Sequence, residues 1–150
     1  MRSAIAIGVG LLVGMLTITV IDAIGMALYP LPAGVDPDNP ESIRAAIPTL
    51  PLGSFVFLLA AWALGAMHGG GFAAYLSRGP RVLHGLIVGA ILMAYAIYQL
   101  YVFGGPTWFT VTGVLLFLPC AYIGALIGTQ PLPGNREGWI IKEVPNYSGT

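Results

Sequence analysis

The chain has 150 residues, 57% of them hydrophobic and only 8% charged, and its six acidic and six basic side chains cancel. Soluble domains carry about 25% charged residues, so this composition excludes an ordinary water-facing surface, and it holds no basic excess of the kind that marks a nucleic-acid-binding face. The one cysteine, Cys120, excludes an intramolecular disulfide, and its place inside an apolar run argues against metal ligation.

Four apolar runs follow one another, at about 4–28, 52–76, 82–103 and 107–128. Each reaches the roughly 20 residues a helix needs to cross about 30 Å of hydrocarbon. Strands are excluded as spans because the runs lack the alternation of a barrel, and backbone groups in lipid must be satisfied within the segment or in a closed sheet. The expectation is an all-α polytopic membrane protein: a bundle of four transmembrane helices over 1–128, an outer loop at 29–50, and a cytoplasmic tail at 129–150. Run one is read as a span. A cleaved signal peptide would have a hydrophobic region about half as long, followed by a small-x-small cleavage site.

The first run carries a single charge, Asp22, and stops at Pro30. In the loop that follows, Asp38 and Glu41 read as a capping box before a short surface helix that buries Ile43 and Ile47 one turn apart. The carboxylates Asp36, Asp38 and Glu41 lack the glycine and the twelfth-position glutamate of an EF-hand, so they read as turn and capping residues. Pro51, Pro80 and Pro106 open runs two, three and four, where a first turn has no partner for its N–H. Gly79, Gly104-Gly105 and Pro131 close them, and Pro119 is expected to kink the fourth.

With four crossings, one side of the membrane holds Arg2, Arg78, Arg81, Arg136 and Lys142, and the other only Arg44. The positive-inside rule then places both termini in the cytoplasm. Tyr29, Tyr101 and Trp108 fall at the outer interface and Tyr75 at the inner one.

Small residues recur at spacing four: Gly10 and Gly14 in the first run, Gly65, Gly69 and Ala73 in the second, Gly85 and Gly89 in the third, Gly124 and Gly128 in the fourth. Lipid supplies no hydrophobic force between helices, so close backbone approach through small residues is how such helices associate. These faces serve the bundle or a seam between subunits.

Polar residues inside the runs are few. Asp22 lies about 9 Å outward of the middle of its helix and Gln99 about 10 Å outward of the middle of its own, at a rise of about 1.5 Å per residue. Thr112 falls at a similar height, so Asp22, Gln99 and Thr112 are expected to form one polar cluster, with Tyr95 or Tyr98 nearby. An intramembrane carboxylate is either a hydrogen-bonded pin or a transport site. His68, among Gly65, Gly69, Gly70 and Gly71, leaves a recess that could admit a tetrapyrrole, but a histidine hydrogen-bonded to a neighbouring helix is the preferred reading; His84 lies roughly 8 Å away in height, which weighs against the two gripping one haem. No zincin, Walker or G-x-S-x-G motif is present, and the chain is read as non-enzymatic, without metal or obligate cofactor.

The stretch from Pro51, Leu52, Gly53 and Ser54 through Trp62 to Gly65, then Gly70, Ala73 and Ala74, resembles a group of small bacterial four-helix inner-membrane proteins. The likeness extends to Val20, Ile21, Asp22, Ala23, Ile24 and Gly25, and it implies a fold but no activity. The segment Asp22 to Gly25 is also similar to the first-helix acidic motif of small multidrug resistance transporters, from which the long outer loop and glycine-rich second helix depart. That likeness implies a carboxylate exchanging protons for a cationic drug. The expected role is a small membrane protein working through helix packing, as a homo-oligomer or as an accessory subunit of another membrane protein. A proton-coupled transporter or channel using Asp22 is the alternative, and a pigment- or haem-binding subunit through His68 the third. Beyond Gly128, Trp139, Ile140 and Ile141 form an apolar cluster between charged pairs, expected to anchor the tail on the bundle, a neighbour or the membrane surface.

Overall fold

A computed structural model describes residues 2–130; the tail cluster Trp139, Ile140 and Ile141 lies outside the described residues. The elements are α1 (Arg2–Leu28), α2 (Pro40–Ala46), a 3-10 turn at Ile47–Thr49, α3 (Leu52–Leu76), α4 (Arg81–Phe103) and α5 (Thr107–Thr129). Among the described residues there is no strand. The chain is a membrane-spanning bundle: α1, α3, α4 and α5 are each long and apolar enough to cross a bilayer. Successive spans run in opposite directions, which defines a loop side, carrying residues 29–51, and a turn side, carrying residues 77–80.

The helix limits fall within two residues of those expected from the apolar runs. α4 stops where Gly104 takes φ +79°, a left-handed conformation costly for any side chain, and its N–H closes the last turn on Leu100 O at 2.9 Å. α5 continues through Pro119 without a break.

The middle of the bundle is α3, with α1 on one face, α5 on the other and α4 spanning behind; α1 and α5 share no contact. The small residues explain this arrangement. A methyl group placed on Gly10 would stand 2.7 Å from Gly69 O, and one on Gly69 would stand 2.8 Å from Gly10 O, so α1 and α3 meet backbone to backbone. On the opposite face the carbonyls of Met67 and Gly71 lie directly against Gly124 and Gly128 of α5. α4 closes the rear, where Gly85 meets Gly70 O and Ala125, and Gly89 meets Ala121. Gly14, Gly65 and Ala73 are likewise taken up between α1 and α3. Toward the loop side the packing changes from small to large, with Trp62 stacked obliquely on Phe109 (5.2 Å) and Phe117 (5.6 Å) over a core that includes Val88 and Leu92.

On the turn side, His84 Nδ1 lies 2.9 Å from Pro80 O and 3.1 Å from Ser77 Oγ. A carbonyl only accepts, so Nδ1 carries the proton and donates it; the pair clips the α3–α4 turn and leaves His84 Nδ1 no lone pair with which to act as a base toward Ser77.

The short loop-side helix exists, but its cap is not the one expected. Asn39, not Asp38, is the N-cap, its side-chain oxygen accepting from Glu41 N (3.0 Å) and Ser42 N (3.4 Å), with Pro40 in the first turn. The extra residue is absorbed by a tight turn in which Asp36 Oδ1 accepts from Asp38 N at 3.0 Å.

Candidate functional site

α1 and α4 touch where glycine permits it: a methyl on Gly10 would meet Val88 Cγ2 at 3.2 Å, and one on Gly14 would meet Leu92 Cδ1 at 2.9 Å. Further toward the loop side both helices carry long side chains, and a cavity of about 380 Å³ opens between them. α1 contributes Met15, Ile18, Thr19, Asp22 and Met26, all on one stripe at helical spacing, and α4 contributes Tyr95, Gln99, Leu100 and Phe103. Phe55, Leu58 and Trp62 of α3 and Phe109 of α5 form the back wall. The roof is the loop: Pro37, Ile43, Ile47 and Leu50 close over the top. Ile43 and Ile47, one turn apart, turn inward as the amphipathic pattern requires. Arg44 ties this roof to α4 by donating from Nη2 to Tyr101 O at 2.7 Å.

The structure brings Asp22 and Gln99 to one cavity and leaves Thr112 out. Thr112 is exposed on α5, a helix that never touches α1, so the expected three-residue cluster reduces to two, joined by Thr19 and Tyr95. Tyr98 is exposed and does not line the cavity. The polar pin is not formed either: among the described residues neither Asp22 nor Gln99 makes a side-chain hydrogen bond, and Thr19 is engaged with Met15 O at 3.0 Å on its own helix. Tyr95 is one of the two tyrosines the sequence places beside this cluster, and Thr19, at i−3 from Asp22, was within reach of the same reasoning. The aromatic back wall and the role of α2 as a roof were not.

Chemically, the cavity offers one carboxyl group, one amide, aromatic faces and the polarisable thioethers of Met15 and Met26, side chains that adapt to ligands of varied shape. A partly buried carboxylate without a partner is costly and is offset by a cation or by its own proton. Aromatic faces attract cations as well, about 0.5–2 kcal/mol each depending on desolvation.

His68 lies elsewhere, on an exposed strip of α3 between α1 and α5, in a groove of about 430 Å³ on the turn-side half of the bundle. No group of three or more metal-ligating side chains occurs among the described residues. Comparison with known proteins adds nothing to this geometry: no family model, no curated protein and no solved structure matches the chain.

Proposed function

We propose that this protein is a binder, and in the membrane a carrier, of lipophilic organic cations, taken up beneath α2 and neutralised by Asp22. The observation that supports this reading is the unpartnered Asp22 carboxyl facing an aromatic-walled, roofed cavity of about 380 Å³. That volume lies within the range of about 300–1,000 Å³ usual for small-molecule sites. A reading as a homo-oligomer or accessory subunit rests on small-residue faces, the absence of catalytic motifs and the apolar tail cluster. The glycine faces of α1, α3, α4 and α5 are occupied within the bundle, which weakens the first of these supports. Binding needs no covalent chemistry, and the carboxyl exchanges a proton for the cation, so proton and ligand compete for Asp22.

The purified chain in lipid nanodiscs should bind tetraphenylphosphonium saturably, with affinity falling as the medium is acidified. Asp22→Asn preserves shape but holds no charge, and should weaken binding at least tenfold and abolish its pH dependence. Thr112→Val, outside the cavity, should change nothing. Equal affinity in wild type and Asp22→Asn overturns the proposal.

The same reading places the loop side on the outer face of a bacterial inner membrane, with both termini in the cytoplasm, because Arg2, Arg78 and Arg81 gather on the turn side against Arg44 on the loop side. With Cys120 replaced by alanine, a cysteine at the exposed Ala33 should react with an impermeant maleimide on intact cells, and one at the exposed Gly79 should not. Labelling at Gly79 alone would reverse the orientation. Ser77 is unsuitable as a reporter, since it is buried in the α3–α4 turn.

A further inference from the structure

The polar side chains that line the Asp22 cavity differ in what they can give and receive. Thr19 and Asp22 stand three residues apart on one face of α1, and Gln99 lines the cavity from α4. Thr19 Oγ1 donates its one proton to Met15 O at 3.0 Å. Only lone pairs are left to it, so toward anything in the cavity this hydroxyl accepts. An ionised Asp22 carboxylate is an acceptor on both oxygens.

Gln99 carries an acceptor and donors on one amide. Among the described residues no side-chain hydrogen bond fixes its orientation. A cation held by Asp22 therefore sets it, because side-chain amide dipoles turn in the local field and bring the carbonyl oxygen toward positive charge. The Tyr95 hydroxyl takes either role. With a cation in place, Asp22, Thr19 and Gln99 all accept, two from α1 and one from α4.

Acceptors on opposite walls around one charge are the complement of a cation that brings several N–H bonds. A protonated primary amine has three, each able to donate. Bonds from such a group to a carboxylate are charge-assisted, shorter and stronger than neutral ones. A quaternary ammonium or a phosphonium meets the charge of Asp22 but offers no proton to Thr19 or Gln99. Sites built to bond an N–H discriminate against an analogue that lacks it, because their own polar groups lose water and gain no partner. A bare metal ion also takes oxygen ligands, but a cavity of about 380 Å³ backed by Phe55, Trp62 and Phe109 has room and apolar wall for an organic body.

Resting on the reading of this cavity as a cation site, we propose that its preferred ligand is a protonated primary amine with an apolar, aromatic-bearing body. The ammonium lies between α1 and α4, donating to Asp22, Thr19 and Gln99, and the body packs on the aromatic back wall. Thr19 and Gln99 are then specificity residues: they add nothing to charge neutralisation and distinguish N–H cations from fully substituted ones.

The test compares phenylbutylamine with its N,N,N-trimethyl analogue on the full chain in nanodiscs. It is run at neutral pH, where the amine is protonated, and uptake by empty nanodiscs is subtracted for each compound. The amine should bind at least tenfold more tightly. Gln99→Leu and Thr19→Val each remove one acceptor and should each shrink that ratio severalfold, whatever they do to the trimethyl compound. A ratio near one in the wild type, or a ratio that neither substitution changes, overturns the proposal. If Gln99→Leu does not assemble by gel filtration, Thr19→Val decides alone. Tetraphenylphosphonium carries no N–H, so its Asp22-dependent binding reports on the cation site itself. Retained beside a ratio near one, it leaves the carrier reading standing and removes only the preference for amines. A wild type that binds neither the amine nor tetraphenylphosphonium removes both.

Discussion

Gly124→Ala, the addition of one methyl group, should cost the bundle more than most whole side-chain deletions. The position of that methyl is already occupied by the backbone carbonyl of Met67, and a carbonyl in mid-helix cannot turn aside without breaking its own hydrogen bond. α5 must then move off α3, which also parts Gly128 from Gly71 one turn along. Overpacking of a close contact costs about 1–3 kcal/mol and more where the neighbour cannot yield. A large drop in thermal stability in mild detergent is expected, together with loss of the native elution volume. Gly8→Ala is the control, because nothing lies within 4 Å of its new methyl. There alanine should be neutral, or stabilising by about 0.5–1 kcal/mol through lower chain entropy. Equal stability of the two variants would mean that α3 and α5 do not pack through these glycines.

Trp62→Ala should be the most destabilising truncation. The ring is only 6% exposed and bridges Phe109 and Phe117, while Gly113 sits close enough that a methyl there would stand 2.6 Å from Trp62 Cζ3. Removing a buried tryptophan costs about 3–5 kcal/mol, most of it lost contact and the void left behind. Reversible unfolding in mixed micelles of rising denaturing-detergent content measures it. A second effect should accompany the first: Trp62 also lines the Asp22 cavity, so its loss enlarges the site and should lower affinity for tetraphenylphosphonium even at temperatures where the variant stays folded. A loss of under 1 kcal/mol would show that the aromatic column carries little of the stability.

The spans were legible because lipid imposes length and apolarity on them, and proline and glycine mark their ends. The glycine spacing pointed to close packing, but spacing on one helix does not say which partner each face takes. The sandwiching of α3 between α1 and α5 became visible only in three dimensions. Height along the membrane normal put Asp22, Gln99 and Thr112 level, and height is all that residue number supplies. Azimuth depends on which helices are neighbours, and the separation of α1 from α5 removes Thr112 from the group. The surface helix was foreseen from Ile43 and Ile47, yet its cap shifted from Asp38 to Asn39 because Asp36 forms a local turn first. Roof and site were never connected in sequence, since α2 is far along the chain from Gln99 and Tyr101.

The placement of α3 has a consequence for how the protein is made. Helices that are each stable in lipid associate only after insertion. α1 enters the bilayer first, but its main partner, α3, follows only after the whole loop has been made, and α5 meets nothing of α1 in the finished bundle. Until α4 arrives, Asp22 therefore lacks its opposing wall, and the loop lacks the Arg44–Tyr101 bond that holds it as a roof. A chain stopped after α3 would strand that carboxyl in the acyl region, whereas one stopped after α4 would already enclose most of it and lack only the α5 face. Synthesis of this protein thus passes through a vulnerable interval that ends with α4, and quality control acting on exposed intramembrane charge would fall on α1–α3 fragments and spare α1–α4.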